Sequence, residues 1–485
     1  MAKYKNRNVL NRKSVKINAI LNVIKQLLAI AFPMITFPYA TRILGVETYG
    51  VYTFSYSILN YISYIAAAGI LRYAVRECAK VRDDRKKFIK LVNEIYTINI
   101  LTTILSFVFL FFILIIPAMT IYRPVILILS LSVIFTTLGT DWINNAFEDY
   151  FFITIRYIFS QLVALCLLFI FVKSSADIMS YSFITIIGGV IANVMNIFHI
   201  NRTLKIHPKL VFSYKKLKKH IKPILYLFVC TIATFIYINS DITILRIYSD
   251  NLHVAYYGVA TKFYQLVKDL INAAFIVIMP RIAYDLSKNK ELVNKKLNTV
   301  LNITIIVIFP CSIGLFFMRN SLITLFSGSA YLPASTSLAI LAITLIPSLL
   351  ANFVINIVMI PYGFEKYVMF GTLISALINL VLNFVFIPIF SETAAAFTTF
   401  IAEVTLVVFG FFKVKKIYRF HIMKSIISSV IGCILIGFTC YFTNNYFEKS
   451  VVLNLICAVT ASIILYSLII TITYKKIIFN GKWFH

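Results

Sequence analysis

Charged and amide side chains recur at helical spacing inside long apolar segments of this sequence. In the first segment Asn18, Asn22 and Lys25 are separated by four and three residues, so they share one face of a helix. Pro33 and Pro38 follow, and each leaves a backbone carbonyl without its helical donor. A charge among apolar side chains is costly, so we expect Lys25 to face a hydrated space or a partner helix.

A second group of polar side chains lies in later apolar segments. Its charged members are Arg156, Asp241, Arg246, Lys262, Lys268 and Asp269. Its amide members are Gln265, Asn272, Asn379 and Asn383. Lys262, Gln265 and Asp269 are spaced by three or four residues, so they share one helix face. Asn379 and Asn383 are four residues apart and share a face of another helix.

The basic members favour an anionic ligand. The basic side chains are Lys25, Arg42, Arg156, Arg246, Lys262 and Lys268. A hydrated space lined by them would have a net positive charge, which suits a phosphate or pyrophosphate group. Two simpler interpretations stay open. Arginines near segment ends could extend to the membrane interface, and Lys268 could pair structurally with Asp269.

The acidic and amide members also have two interpretations. Asp241 and Asp269 could bind a coupling proton or cation, or they could balance the charge of a nearby Lys or Arg. Asn379 and Asn383 are typical of hydrogen bonds between packed membrane helices. Binding of a coupling ion would be part of a transport mechanism, whereas charge balance and hydrogen bonds between helices would be structural.

Apolar composition determines the class of protein that positions these side chains. Of 485 residues, 60% are hydrophobic and 13% are charged, whereas ordinary domains have about 45–50% and about 25%. A spanning helix needs about 20 apolar residues. Fourteen such segments occur, at approximately 17–41, 49–71, 91–117, 124–144, 150–172, 178–200, 223–247, 254–280, 298–318, 335–357, 367–390, 393–412, 424–443 and 451–473. We therefore predict an all-α polytopic membrane protein.

Basic residues predict the orientation of these segments. The formal net charge is +28. The basic clusters lie in alternate breaks, at residues 3–16, 72–90, 202–222, 281–296, 413–424 and 475–482. Basic loops stay cytoplasmic, so fourteen helices place every cluster, and both termini, in the cytoplasm. This distribution accounts for the charge without a nucleic-acid partner.

Two short matches indicate an internal repeat. Arg-Ile followed by Tyr-Gly-Val occurs within residues 42–51 and again within 246–259, and Phe-Glu-Asp-Tyr at 147–150 recurs as Phe-Glu-Lys-Tyr at 364–367. Two parallel six-helix repeats are typical of transporters whose substrate path lies between the halves. We predict an N-lobe (1–200, helices 1–6), a basic cytoplasmic linker (201–222), a C-lobe (223–412, helices 7–12), and helices 13 and 14 with a cytoplasmic tail (413–485).

The sequence lacks common motifs of catalytic and metal chemistry. It contains no G-x-x-x-x-G-K-[ST] loop, no H-E-x-x-H pair and no G-x-S-x-G elbow. Its seven cysteines form no C-x-x-C pair. The predicted external loops are too short for a catalytic domain. We therefore expect no enzyme activity, no cofactor and no bound metal.

Short motifs along the chain resemble a known transporter family. Residues 37–52, with Phe-Pro-Tyr-Ala-Thr-Arg-Ile-Leu-Gly and then Tyr-Gly-Val-Tyr, resemble the first hairpin of the polysaccharide repeat-unit flippases (Wzx-type, O-antigen and capsule transporters). Residues 256–258, with Lys262 one turn later, resemble the start of their helix 8. Residues 378–396, with Asn379, Asn383, Pro388 and three alanines, resemble their helix 11–12 region. The order is kept, although Ser-Glu-Thr at 391–393 replaces the Gly pair of many relatives.

The resemblance implies the fold and mechanism of the multidrug/oligosaccharidyl-lipid/polysaccharide exporter superfamily. It implies two lobes, a cationic central cavity and alternating access in the bacterial inner membrane. The implied cargo is an oligosaccharide on polyprenyl pyrophosphate, moved to the outer leaflet for surface polysaccharide export. Implied partners are this cargo, membrane lipids, and a polysaccharide polymerase with its export machinery.

Two other functions stay open. The first is a cation-coupled drug or metabolite exporter of the same superfamily, and the second is a membrane-embedded polysaccharide polymerase. An exporter of cations would need an acidic lining, whereas this chain has an excess of Lys and Arg within its apolar segments. A polymerase would need a larger external loop than the sequence predicts.

Overall fold

The structure, a computed structural model, describes residues 15–286, 290–415, 418, 420–447 and 450–479. Over these residues the chain forms α-helices joined by turns and by one longer connection at 203–213, with no β-strand. The helices are α1 (Val15–Ala67), α2 (Ile70–Val81), α3 (Arg85–Ile115), α4 (Arg123–Gly139), α5 (Trp142–Ala146), α6 (Tyr150–Phe171), α7 (Ile178–Arg202), α8 (Tyr214–Tyr248), α9 (Asn251–Leu286), α10 (Lys290–Phe326), α11 (Ala334–Asn352), α12 (Glu365–Val414), α13 (Met423–Tyr446) and α14 (Val451–Phe479). A π-helical segment, Phe353–Met359, continues α11. Parts of four predicted basic clusters (3–16, 281–296, 413–424 and 475–482) lie outside the described residues.

Helix length and composition agree with the predicted membrane segments. Within the described ranges, nine helical stretches are long and apolar enough to cross a membrane. Two of them, Ile24–Val81 and Glu365–Val414, each cover two predicted segments, on either side of a non-helical residue at Gly45 or Ser391. The remaining three predicted segments correspond to α4, α8 and α9. The all-α, polytopic prediction of about fourteen membrane helices is confirmed.

Two predicted segments end at different places from the helices. The second segment, predicted to extend to residue 71, is interrupted at Ala68 (φ 44°) and Gly69 (φ 71°). The fourth, predicted to extend to residue 144, stops at Gly139 because Thr140 takes a left-handed conformation (φ 46°). Left-handed residues end a helix by turning the chain. Hydropathy does not detect such turns. Asp141, which the fourth predicted segment includes, therefore lies in the structure in a separate short region, directly before α5.

The start of α3 illustrates how local sequence sets a helix boundary. Asp84 precedes the helix, and its carboxylate accepts hydrogen bonds from the backbone N–H groups of Lys86 and Lys87, both at 3.1 Å. These are donors that an α-helix otherwise leaves without a partner. The hydrogen bonds hold the pKa of the Asp84 carboxyl below its usual value.

The described chain divides into two compact units. Unit 1 comprises Phe54–Phe235 and the described residues up to Thr36, and unit 2 comprises Phe37–Thr53 and the described residues from Ile236 onward. One buried core in unit 1 brings together α2, α3, α5 and the start of α8, through residues that include Tyr73, Cys78, Phe88, Val92, Trp142 and Leu217. In unit 2, one core joins α9, α10, the π-helical segment and the end of α12, through residues that include Phe275, Leu297, Phe353 and Val414. The six, six and two grouping of the helices stays a prediction.

Two glycines allow close packing of the 37–53 segment within unit 2. A Cβ atom at Gly50 would lie 2.0 Å from the backbone carbonyl oxygen of Asn251, at the start of α9. Conversely, a Cβ atom at Gly258 on α9 would lie 2.9 Å from the Cγ2 atom of Thr53. Both glycines come from the repeated Tyr-Gly-Val motif. In both copies, the motif therefore removes a side chain where two segments touch.

We expect Gly50→Ala to lower the melting temperature of the purified protein, because overpacking against a backbone oxygen costs about 1–3 kcal/mol. The matched control is Gly314→Ala in α10, where a Cβ atom would have no neighbour within 4 Å. That change should leave stability unchanged or raise it by up to about 1 kcal/mol. Thermal unfolding in detergent measures both, and equal melting temperatures for the two variants would contradict the close contact.

Candidate functional site

Asp241 lies at the centre of a buried hydrogen-bond network in unit 2. Its carboxylate accepts hydrogen bonds from the Tyr257 hydroxyl (2.6 Å), the Asn383 amide (2.5 Å) and the Thr399 hydroxyl (2.8 Å). Asp241 itself is only 4% exposed. The donors come from α9 and from α12 on both sides of its kink at Ser391. The network therefore connects α8, α9 and both parts of α12 through one carboxylate.

Asn379 and Asn383 both take part in this network. The Asn383 amide also donates to Asn379 Oδ1 (3.1 Å), and Ser240 on α8 donates to the same oxygen at 3.4 Å. Thr398 donates to Asn383 Oδ1. The two asparagines thus join α12 to α8, and they do so beside Asp241.

The partners of Asp241 are neutral. Among the described residues, none of the ion pairs includes it. Arg246, five residues later on α8, donates to the backbone carbonyl of Ser249 (2.9 Å). A buried carboxylate with neutral neighbours is stable when it holds a proton or a small cation. The described residues contain no cluster of three or more His, Cys or acidic groups that could hold a metal ion.

Lys268 forms a buried ion pair in unit 2. Its Nζ atom lies 3.0 Å from Glu403 Oε1 on α12 and donates to the Tyr264 hydroxyl oxygen at 3.2 Å. Ser348 on α11 donates to the same Glu403 oxygen (2.9 Å). The sequence suggested pairing of Lys268 with Asp269, whereas the structure places Glu403 in that role. Lys268 is therefore neutralised.

Lys262 and Asp269 lie on the same helix as Lys268 but in different surroundings. Asp269 accepts a hydrogen bond from the Gln265 amide (2.8 Å), and Lys262 is within electrostatic range of Asp269. In the described part of the chain, Lys262 has no acid within ion-pair distance. Its cationic charge is therefore only partly balanced.

Unit 1 contains a second charged group, around Arg156. Arg156 pairs with Asp141 and donates to the backbone carbonyl of Ala192 (3.2 Å). Lys25 lies within electrostatic range of both Asp141 and Arg156, but it forms no ion pair among the residues described. One carboxylate thus faces two cations, and the group keeps a net positive charge. The side chains of Asn18 and Asn22, from the same predicted stripe, lie outside the described residues.

Arg42 contacts the end of a helix in unit 2. Its guanidinium donates to the backbone carbonyls of Thr324 (3.3 Å), Leu325 (2.5 Å) and Phe326 (3.3 Å), the last residues of α10. The last carbonyls of a helix have no intrahelical donor, and a cation stabilises that end of the helix. Arg42 and Arg246 thus both bond to backbone carbonyls near helix ends.

Several partners of these residues were not identified from the sequence. Glu403 is an acid within an apolar segment, so its position alone could have marked it. Asp141 is an acid near the end of the predicted segment 124–144, so it could have been marked in the same way. Tyr257 and Thr399 look like many other Tyr and Thr residues in apolar segments. No sequence signal separates them, because only the packing of α8, α9 and α12 brings them to Asp241.

Comparisons with known proteins identify the family. Residues 15–284 match the family described as polysaccharide biosynthesis protein. A protein of Escherichia coli (strain K12) named "Putative O-antigen transporter" is 23% identical over 285 residues, which are 58% of this chain and 68% of that protein.

Solved structures share the fold. The lipid II flippase MurJ, in an inward closed conformation, has a TM-score of 0.77 at 19% identity and covers 96% of this chain and 100% of its own. An outward-facing multidrug resistance MATE family transporter of the MOP superfamily has a TM-score of 0.53 at 12% identity, over 83% of this chain and 97% of its own. The family match covers more than half of the sequence. The chain therefore belongs to the polysaccharide biosynthesis protein family, and its predicted resemblance to the polysaccharide repeat-unit flippases, the O-antigen transporters, is confirmed.

Proposed function

We propose that this protein moves polyprenyl-pyrophosphate-linked oligosaccharide repeat units from the cytoplasmic to the outer leaflet of the inner membrane, for export of surface polysaccharide. Membership of its family and a fold shared with a lipid II flippase support transport of a lipid-linked sugar rather than catalysis. On this proposal the termini are cytoplasmic and the cargo crosses by alternating access. A polymerase and export machinery would receive the cargo outside.

The incompletely balanced cations carry this proposal. Lys25 in unit 1 and Lys262 in unit 2 are half-buried, and neither forms an ion pair among the described residues. Charge-assisted hydrogen bonds to phosphate are strong, so each of these lysines is a candidate contact for a phosphate group of the cargo. Arg156 adds charge beside Lys25, whereas the guanidinium groups of Arg42 and Arg246 bond to backbone carbonyls and Lys268 is paired. On this proposal the positive charge offered to the cargo comes chiefly from these two lysines.

We expect Lys25→Ala and Lys262→Ala each to reduce transport about 10- to 100-fold, because a hydrogen bond to a charged group contributes about 1.5–3 kcal/mol. The readout is surface polysaccharide, with the amount of protein in the membrane measured in parallel. Lys87→Ala is the matched control, since that side chain is 74% exposed and forms only a surface ion pair with Asp84. Normal polysaccharide from both cavity variants would refute the assignment.

Deletion of the gene separates the proposed function from its alternatives. We expect lipid-linked repeat units to accumulate on the cytoplasmic leaflet, where an added membrane-impermeant enzyme in sealed spheroplasts cannot reach them. A polymerase defect would instead leave single repeat units on the outer leaflet. A drug or metabolite exporter would leave the distribution of repeat units unchanged, so either of these outcomes would exclude the flippase.

Asp241 is the candidate site for ion coupling. Its carboxylate receives three neutral hydrogen bonds and no cation among the residues described, so it can exchange a proton or a small cation without breaking an ion pair. Such exchange would change the charge that Asn383 and Thr399 face across the kink in α12. We propose that this step links an ion gradient to the movement of the cargo. Asp269, already bonded to Gln265, balances Lys262 only in part.

We expect Asp241→Asn to abolish the dependence of transport on a proton or sodium gradient. The Asn side chain has only one oxygen that accepts hydrogen bonds. Its NH₂ group would therefore face other donors, either the Asn383 amide or the Tyr257 and Thr399 hydroxyls. Transport into proteoliposomes under imposed gradients measures the effect. Asp250→Asn is the control, because Asp250 accepts from the His253 backbone N–H at the start of α9 and Asn replaces it well there. A gradient dependence that survives Asp241→Asn would move coupling elsewhere.

A further inference from the structure

The connection between α7 and α8 is an extended segment held against α3. The backbone N–H of Lys209 donates to Asn93 Oδ1 (2.8 Å), and the backbone N–H of Val211 donates to Thr97 Oγ1 (2.9 Å). These two donors are two residues apart, as expected for one edge of an extended chain. Residues 203–213 are thus attached to a membrane helix at two points, which fixes the directions of their side chains.

Apolar side chains of this segment change from buried to exposed along its length. Leu204 and Ile206 are buried in the core of unit 1. Further on, Leu210, Phe212 and Tyr214 are 46%, 92% and 69% exposed. Leu210 and Phe212 are two apart, so they share one side of an extended chain, and Tyr214 is the first residue of α8. We refer to Leu210, Phe212 and Tyr214 as the aromatic strip.

The aromatic strip is continuous with a lipid-facing surface. On α8, Ile221 and Leu225 are exposed and lie seven and eleven residues after Tyr214, close to the same helix face. Ile221 is about 10 Å farther along the helix axis. Exposed aliphatic side chains on a membrane helix face hydrocarbon, and Tyr is enriched where the hydrocarbon ends. The strip therefore lies at the boundary between membrane and water.

All charged side chains of the segment that carries the strip are basic. Residues 201–222 contain one Arg and seven Lys but no acidic residue. Lys215, Lys216 and Lys218 are exposed, and none pairs with an acid among the described residues. The next lysine, Lys219, differs because it pairs with Glu94 on α3 (2.8 Å). Three lysines therefore remain available beside the strip.

We propose that the aromatic strip, with Lys215, Lys216 and Lys218, is a docking site for anionic phospholipids of the adjacent leaflet. The rings enter the headgroup region while the lysines contact the phosphates, as basic and aromatic clusters do at anionic membranes. Continuity with the lipid-facing side of α8 and the complementary charge select a lipid surface over a soluble protein. The contact would hold the start of α8 at a fixed depth.

Tryptophan fluorescence tests the depth of the strip. The full-length Phe212→Trp variant is reconstituted into vesicles of phosphatidylcholine alone or with phosphatidylglycerol, each with brominated acyl chains, and the wild-type signal is subtracted. We expect bromine to quench the added tryptophan, and to quench it more when phosphatidylglycerol is present. An unquenched signal in both vesicles would place the strip in water, and equal quenching would remove the preference for anionic lipid. Either result overturns the proposal.

Replacing lysines tests the charge. On the Phe212→Trp background, Lys215→Gln, Lys216→Gln and Lys218→Gln together should abolish the additional quenching by phosphatidylglycerol. The control replaces three exposed lysines at the start of α3 with Gln, namely Lys86, Lys87 and Lys90, and should retain it. Equal loss in both variants would indicate a general charge effect and reject this site.

A second measurement guards against disturbance by the added tryptophan. In proteins that keep Phe212, native mass spectrometry counts the phosphatidylglycerol molecules that remain bound after purification. The count should fall in the variant with Gln at 215, 216 and 218 relative to wild type and to the α3 control. Unchanged counts would overturn the docking site.

Discussion

A polar or charged group surrounded by hydrocarbon is stable only when it has a partner, and the described structure follows this constraint almost everywhere. Arg156 has Asp141, Lys268 has Glu403, and the guanidinium of Arg42 has the last carbonyls of α10. Pairs of this kind hold helices in place, but they leave little free charge. Lys25 and Lys262 stand out against this background. On the proposed function, the phosphate groups of the cargo would supply the charge that each lysine lacks.

The same constraint explains how much could be predicted from the sequence. Long apolar segments can be stable only as membrane helices, so composition was sufficient for the all-α fold and for about fourteen segments. Backbone turns at Ala68 and Thr140 depend on single φ angles, and hydropathy is insensitive to them. The charged residues were visible in the sequence, whereas their partners were not. Glu403 reaches Lys268 from a helix more than 130 residues away, a contact that only tertiary packing creates.

The Asp241 network holds α8, α9 and α12 together around the carboxylate at which we propose ion exchange. Its donors lie on both sides of Ser391, a non-glycine residue at φ 48° that interrupts α12. The same kink is attached to the α8–α9 turn, because Ser249 and Ser391 are hydrogen-bonded and His253 pairs with Glu392. The strained residue therefore sits between two sets of interhelical contacts. On the proposed mechanism, ion exchange at Asp241 would act on the two helical parts of α12 that an existing kink already separates, rather than break a regular helix.

The reciprocal packing of Gly50 and Gly258 has a consequence for genetic suppression. A side chain added at Gly258 meets the Thr53 side chain, so a smaller residue at position 53 could relieve the overlap. A side chain added at Gly50 meets the backbone carbonyl of Asn251, which every amino acid carries. A substitution at the contacted residue can therefore relieve the overlap at Gly258 but not the overlap at Gly50. Second-site revertants of a change at 258 should map to 53, whereas those of a change at 50 must shift a helix.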